Sequence, residues 1–518
     1  MRSMPIELAS TGRPPTGPLA VTPVRVGAAL ILLAAAAVPF ADLSTLDRSP
    51  WPVAARILAG FLHPDFSAVE SLGYASLLTL AFAFGGLAAG IAGGTVLAVF
   101  SGNRLVRGLA AVLRSIHELI WALLLMAVLG PTVVTGIAAI GLAYAGIFAK
   151  VYAEILDEAD RRPSDVLPPS TRLVSRFVYG RVAVAFPALA IYTRYRLECA
   201  IRSSAVLGFI GMPTLGFQLD SFFKQGAYGA VAAVLIVYYA LIASQPVWLR
   251  RPLVPLYLLG AAIVLLLHPG PPVSGSSIWA FLTNDIVPAP LRAGLLADPQ
   301  TWRNLWSWSG TLMTAQVLPG MAATLIVGQI TLAMTGIIAL AAFPLIMARF
   351  TGKIGSALGH AGLVVGRSTP EYMLAYLFLQ MFGPSMLPAI LALSLHNGAI
   401  IAHLTGRQAD GIVSRLRPDA PRGLNLYFYE ILPRLYGSFL ALCLYRWEII
   451  LRESAILGIL GVKTLGFHID SAIAEIRLDR AMVLIMATVL LTIAVDALSR
   501  KIRARLRVGP LAARGDSS

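Results

Sequence analysis

The sequence predicts an all-α polytopic membrane protein, with about twelve transmembrane helices in two parallel six-helix repeats. Three observations predict it. Of 518 residues, 57% are hydrophobic and only 13% charged, at a mean hydropathy of +0.76, whereas a soluble surface needs about a quarter of its residues charged. Apolar blocks of spanning length, roughly 17–25 residues, recur along the whole chain. The chain also repeats itself in one direction: "YRLECAIRSSAVLGFIGMPTLGFQLDS" from residue 195 returns as "YRWEIILRESAILGILGVKTLGFHIDS" from residue 445.

The opening MRSMPIELASTGRPPTGP is polar and proline-bearing, with no apolar core beside a small-residue cleavage site. It reads as a cytoplasmic tail, so the first span is expected to stay in the mature protein. The expected spans are residues 24–41, 72–100, 119–134, 134–152, 182–202 and 230–247 in a first half, 1–252. The second half, 253–518, supplies 253–267, 318–343, 372–386, 386–404, 431–451 and 481–498. With the N-terminus inside, Arg104, Arg107 and Arg114, residues 161–181, Arg250 and Arg251, Lys353 and Arg367, residues 407–422 and the tail from Arg500 all fall on the cytoplasmic side. That bias accounts for the net charge of +15 without nucleic acid, because Lys and Arg collect in cytoplasmic loops. The expected outer segments, 42–69 and 269–310, are rich in Pro, Trp and Asp. Cys199 and Cys443 occupy unmatched places in the repeats and show no metal spacing, so packing roles are expected.

A second echo, "RSIHELIWALLLMAVLGP" at Arg114 against "RSTPEYMLAYLFLQMFGP" at Arg367, extends the duplication over most of each half. Six spans per half keep both ends inside, so the repeats are parallel, which implies a pseudo-twofold along the membrane normal and a pathway between halves. The charge rule lets only one of residues 182–202 and 203–219 cross, since otherwise Arg250 and Arg251 would lie outside. A helix rising about 1.5 Å per residue from Val182 reaches Glu198 after roughly 24 Å and Arg202 after roughly 30 Å. The charges then sit in the outer half, and the Gly-rich "AVLGFIGMPTLGF" becomes a re-entrant or extracytoplasmic turn.

Glu198 with Arg202, and Glu448 with Arg452, are spaced to share a helix face and can pair, while Arg196 and Arg446 point elsewhere. Each copy carries two cations and one anion at matched positions, although Glu453 stands where the first copy has Ser203. Such a lining suits a small oxyanion, because the guanidinium fork fits its oxygens bidentately. The alternative is snorkelling or structural pairing. Thr214 and Thr464, in the matched "TLGF", belong to the same candidate pathway. His396 and Asn397 interrupt an apolar span where the first copy has Ala143 and Tyr144; they bond a neighbouring helix or touch the pathway. Ser115 with Glu118, and Ser368 with Glu371, spell a capping box. Gly86, Gly90 and Gly94 form a ridge for close helix packing. No phosphate-binding loop, H-E-x-x-H or G-x-S-x-G occurs, so no catalytic or metal set is expected in this chain.

The pattern YRxExxxRxSAxLGxxGxxTLGF, at residues 195–217 and 445–467, resembles the end of the permease subunit of phosphonate/phosphite-type ABC importers, commonly "YRFE…RSATVLGLVGAGGIG". That family uses two separate six-span permeases, and this chain looks like two copies fused. The resemblance implies a type I ABC importer permease fold in a bacterial inner membrane. It further implies two ATP-binding subunits carrying ATP and magnesium, an extracytoplasmic substrate-binding protein, and inward transport of phosphonate, phosphite or phosphate. It also implies a cytoplasmic coupling loop of the form EAA, three residues, G, nine residues, I-x-LP. The second copy keeps "ILP" at 431–433; counting back places the glycine at Ala420 and EAA at Ser414, Arg415 and Leu416. In the first copy the same count gives Ser170 for the glycine and Ser164, Asp165 and Val166 for EAA, so both loops have lost the usual signature. A twelve-span secondary transporter of the major facilitator type, with Glu198 and Glu448 as proton-coupling carboxylates, is the second reading. A polytopic membrane enzyme is the third.

Overall fold

In a computed structural model the chain is described over residues 22–45, 49–160, 162–168, 170–268, 270–413, 416 and 419–506. Among these residues every regular element is a helix. The principal ones are α1 (Pro23–Ala37), α2 (Trp51–Leu62), α3 (Leu72–Val99), α4 (Arg104–Ser115), α5 (Glu118–Leu129), α6 (Val133–Glu158), α7 (Ala183–Val206), α8 (Leu215–Gln225) and α9 (Tyr228–Ala243). They continue as α10 (Val254–Leu267), α11 (Pro299–Leu312), α12 (Leu318–Ala342), α13 (Ala348–Ser368), α14 (Glu371–Phe382), α15 (Met386–Val413), α16 (Leu432–Ile459), α17 (Leu465–Ala474) and α18 (Leu478–Leu506).

Seven helical stretches among the described residues are long and apolar enough to cross a membrane, or up to eight when α4 and α5, bent 91° apart, count as one broken span. Twelve such spans are therefore not seen by this measure. Hydropathy counts apolar residues but cannot see where a helix ends. The expected spans 119–134 and 372–386 contain only the 12-residue helices α5 and α14, about 18 Å each at 1.5 Å per residue. Apolar helices α2, α9 and α10 are likewise short. Helix also enters segments expected to be loops outside the membrane: α2 lies in 42–69, and α11 continues through a π-turn into α12.

The chain forms two compact units, one of residues 1–45, 323–454 and 494–518, the other of 46–322 and 455–493. These are not the two sequence halves, because residues up to 45 group with the second half while 253–322 and the Gly-rich turn of the second copy group with the first. In the larger unit the predicted glycine ridge sets the packing of α3 on α6. A Cβ on Gly86 would lie 2.6 Å from Ile140 Cβ, and one on Gly90 2.6 Å from Tyr144 Cβ; Gly94 meets Phe148 in the same way. Three successive turns of the two helices thus touch almost backbone to backbone. In the smaller unit, Gly27 of α1 lies against the Tyr436 ring, and Gln329 Nε2 donates to the Leu30 carbonyl at 2.8 Å. Ser499 Oγ ties α18 to the Leu444 carbonyl at 2.6 Å.

Candidate functional site: matched polar clusters around two arginines

Both copies of the repeated sentence fold alike. α7 ends in a 3-10 turn at Leu207–Ile210, Gly211 takes φ +79°, and α8 starts after Thr214. The return is tight because Gly208 sits on the backbone of Gly216 and Phe217, and Gly216 on the Ala205 carbonyl. The second copy does the same with Gly458 on Gly466 and Phe467, Gly466 on Ala455, and Gly461 at φ +87°. A left-handed residue and a backbone crossing that no Cβ can enter explain the repeated glycines. The hydroxyls of Thr214 and Thr464 are buried at the two turns without a hydrogen-bond partner.

The long helices α7 and α16 carry the charges, and each is entered through a π-turn, Val178–Val182 and Leu426–Ile431. Arg196 reaches across to α6 and stacks its guanidinium on the Tyr144 ring, 4.4 Å from the centroid. The Tyr144 hydroxyl lies 3.2 Å from Ser203 Oγ, which donates to Glu118 Oε1 at 2.7 Å. His117 Nε2 is 3.6 Å from the other Glu118 oxygen. The glycine ridge fixes this arrangement, since Gly90 is what lets the Tyr144 backbone come so near α3. Phe148, Tyr152, Tyr192 and Tyr195 continue an aromatic column beside it.

The second cluster uses the matched positions with different chemistry. Arg446 Nη1 donates to Asn397 Oδ1 at 3.2 Å, Asn397 Nδ2 donates to Glu453 Oε2 at 2.9 Å, and Arg446 lies 4.0 Å from Glu453 Oε1. His396 contacts the Thr369 carbonyl at 2.9 Å through Nδ1 and lies 3.9 Å from Glu371 through Nε2. A histidine therefore faces the glutamate in both copies, from the start of α5 in the first and from mid-α15 in the second.

Three expectations change here. Ser115 and Ser368 do not cap the helices that follow them. Ser115 Oγ bonds back to the Ala111 carbonyl at 2.7 Å, His117 Nδ1 caps α5 by accepting from Leu119 N at 3.1 Å, and Pro370, not Ser368, holds the N-cap position of α14. The chain bends at this point, so Glu118 is freed to meet Ser203 on α7. Arg202 donates to Cys199 Sγ at 3.4 Å, and Glu198 makes no ion pair among the described residues. His396 and Asn397 bond neighbouring helices, and Asn397 is joined to Arg446. Sequence reasoning missed Tyr144, Glu118 and Glu371 as cluster members. The signal that could have found them was the pairing of Tyr144 with Asn397 and Ser203 with Glu453 between copies.

Of the expected coupling residues, Asp165 ends a four-residue helix, Arg162–Asp165, which also contains Ser164. Ser170 is an exposed turn residue and Ala420 lies outside regular structure, while Ser414 and Arg415 fall outside the described residues.

The fold defines an all-helical polytopic membrane protein, and its clusters hold guanidinium groups against side chains of neighbouring helices. No protein-family profile matches the chain, and no solved structure does. Curated proteins do match. The chain is 24% identical over 417 residues to the phosphate-import permease protein PhnE of Mycolicibacterium smegmatis, covering 76% of each chain. It is 30% identical over 226 residues to the phosphite transport system permease protein PtxC of Stutzerimonas stutzeri, covering 41% of this chain and 81% of that one. The chain belongs to the phosphate/phosphite/phosphonate ABC importer permease family. The match to PhnE over most of the chain is consistent with a fused double permease, and the major facilitator reading finds no support among the relatives.

Proposed function

We propose that this chain is the fused permease of an ATP-driven importer in a bacterial inner membrane, and that it carries phosphite, phosphate or a phosphonate inward. The observation that carries the reading is the matched pair of arginine clusters in a chain related to phosphate and phosphite permeases. Guanidinium groups kept inside a membrane protein are costly unless they serve an anion or are paired. Their planar forks suit phosphorus oxyanions.

In the proposed mechanism an extracytoplasmic binding protein releases the anion to a pathway whose lining is drawn from Arg196, Glu198, Arg202 and Thr214 in the first repeat and from Glu448, Arg452 and Thr464 in the second. Arg446, His396 and Asn397 form the second repeat's own polar cluster. Two ATP-binding subunits, which hold the ATP and magnesium, engage the cytoplasmic segments around Ser164, Asp165 and Ser170 and around Ser414, Arg415 and Ala420. Their motion switches access by rocking one repeat half, 1–252, against the other, 253–518. Both termini lie in the cytoplasm.

The test is uptake of radiolabelled phosphate and of phosphite by cells with and without the chain, co-expressed with its partner subunits. Uptake that needs the chain and ATP is expected. Uptake by proteoliposomes holding the chain alone, driven by a proton gradient, would overturn the reading.

A further inference from the structure

The two clusters occupy matched positions, yet they treat their arginines differently. Tyr144 supports Arg196 through its ring face. A cation held this way keeps its in-plane N–H donors unspent, because the contact uses the flat side of the guanidinium. Among the described residues Arg196 makes no ion pair, and its Nε is buried without a hydrogen-bond partner. The nearest link to a carboxylate is indirect, from the Tyr144 hydroxyl through Ser203 Oγ to Glu118.

Arg446 is in the opposite state. It spends an N–H on Asn397 Oδ1 and lies at ion-pair distance from Glu453, which Asn397 also holds. Both side chains are largely buried, 13% exposed for Arg446 and 11% for Glu453. Two of the sequence differences between the clusters, Tyr144 against Asn397 and Ser203 against Glu453, set whether the cation is compensated.

From these contacts we infer that the permease binds its phosphorus oxyanion one-sidedly: Arg196 of the first repeat is the guanidinium that meets the anion, and Arg446 is a structural cation neutralised by Glu453. The inference rests on the oxyanion pathway proposed above. Open in-plane donors, one buried and unpartnered, form a site complete only when an acceptor with two or more oxygens enters. The second cluster has its acceptors already.

The experiment measures initial uptake of phosphite and phosphate against concentration, at fixed ionic strength, by the full complex carrying variant chains. Arg196→Met is expected to raise KM at least about tenfold, with Arg196→Lys intermediate because it keeps the charge and loses the fork. Tyr144→Asn with Ser203→Glu, which rebuilds the second cluster around Arg196, is expected to raise KM as Arg196→Met does. Arg446→Met with Glu453→Met, removing both charges together, lowers the amount of protein or the maximal rate and leaves KM within about twofold. Phosphite should raise the unfolding midpoint of the detergent-solubilised wild-type complex and not that of Arg196→Met. Wild-type KM in Arg196→Met, or an equal rise in KM in the Arg446/Glu453 variant, overturns the inference while leaving the import reading intact. If Arg196→Met fails to insert, Arg196→Lys and the Tyr144/Ser203 variant decide by the same criterion. A wild-type complex that imports neither anion overturns the function reading, and this inference with it.

Discussion

At the residue scale the decisive contacts are made by side chains whose partners lie on other helices. Glu453 shows what such a contact is worth. It stands on α16 among apolar neighbours, and its carboxylate is held by Asn397 and faces Arg446. Glu453→Ala would leave a buried guanidinium uncompensated, so a loss of about 3–5 kcal/mol is expected. Glu453→Gln can still accept from Asn397 Nδ2 and should cost less, about 1–3 kcal/mol. Thermal unfolding of the purified protein in detergent compares them. Equal and negligible losses would show that Arg446 finds its compensation elsewhere.

At the scale of elements, the hairpin between α7 and α8 separates two uses of glycine. Gly211 needs only its left-handed backbone, since nothing lies within 4 Å of where its Cβ would be. Gly211→Ala should therefore cost about 1–2 kcal/mol. Gly216 has ordinary helical backbone, but its Cβ would enter the Ala205 carbonyl, which is backbone and cannot swing aside. Gly216→Ala is expected to cost more than about 3 kcal/mol, because the turn must open to admit the methyl group. The ranking of unfolding midpoints tests this directly, and a milder effect at Gly216 than at Gly211 would contradict the backbone crossing. The same ranking should hold for Gly466 over Gly461 in the second copy.

At the scale of the whole molecule, the open matter is how the chain meets its ATP-binding partners. Among the described residues, the first proposed coupling segment holds the four-residue helix Arg162–Asp165. Replacing 162–170 by a Gly/Ser segment of equal length should abolish co-purification of the ATPase subunits in mild detergent while the chain remains in the membrane. Retention of both subunits by that variant would place the coupling surface elsewhere.

Much of this protein was legible in its sequence, and for reasons that do not depend on three dimensions. Hydrocarbon solvent demands continuous apolar helix, so composition announced the class. Duplication leaves the same glycines, threonine and arginines at the same spacing, so the twin hairpins and their charges stood out before any fold was known. The ridge of Gly86, Gly90 and Gly94 implied a close helix contact, and α3 on α6 supplies it. The tertiary structure decided what spacing along one helix cannot express. A glutamate four residues from an arginine suggests a pair, yet Glu198 makes no ion pair among the described residues and Arg202 donates to Cys199 Sγ, while Arg446 is joined to Asn397 on another helix. A serine three residues before a glutamate suggests a cap, yet a 91° bend sends Glu118 to Ser203. Above all, the two repeats look chemically alike in their arginines. Only packing brings Tyr144 and Ser203 to one and Asn397 and Glu453 to the other, leaving one guanidinium with its donors open and the other with its charge already met.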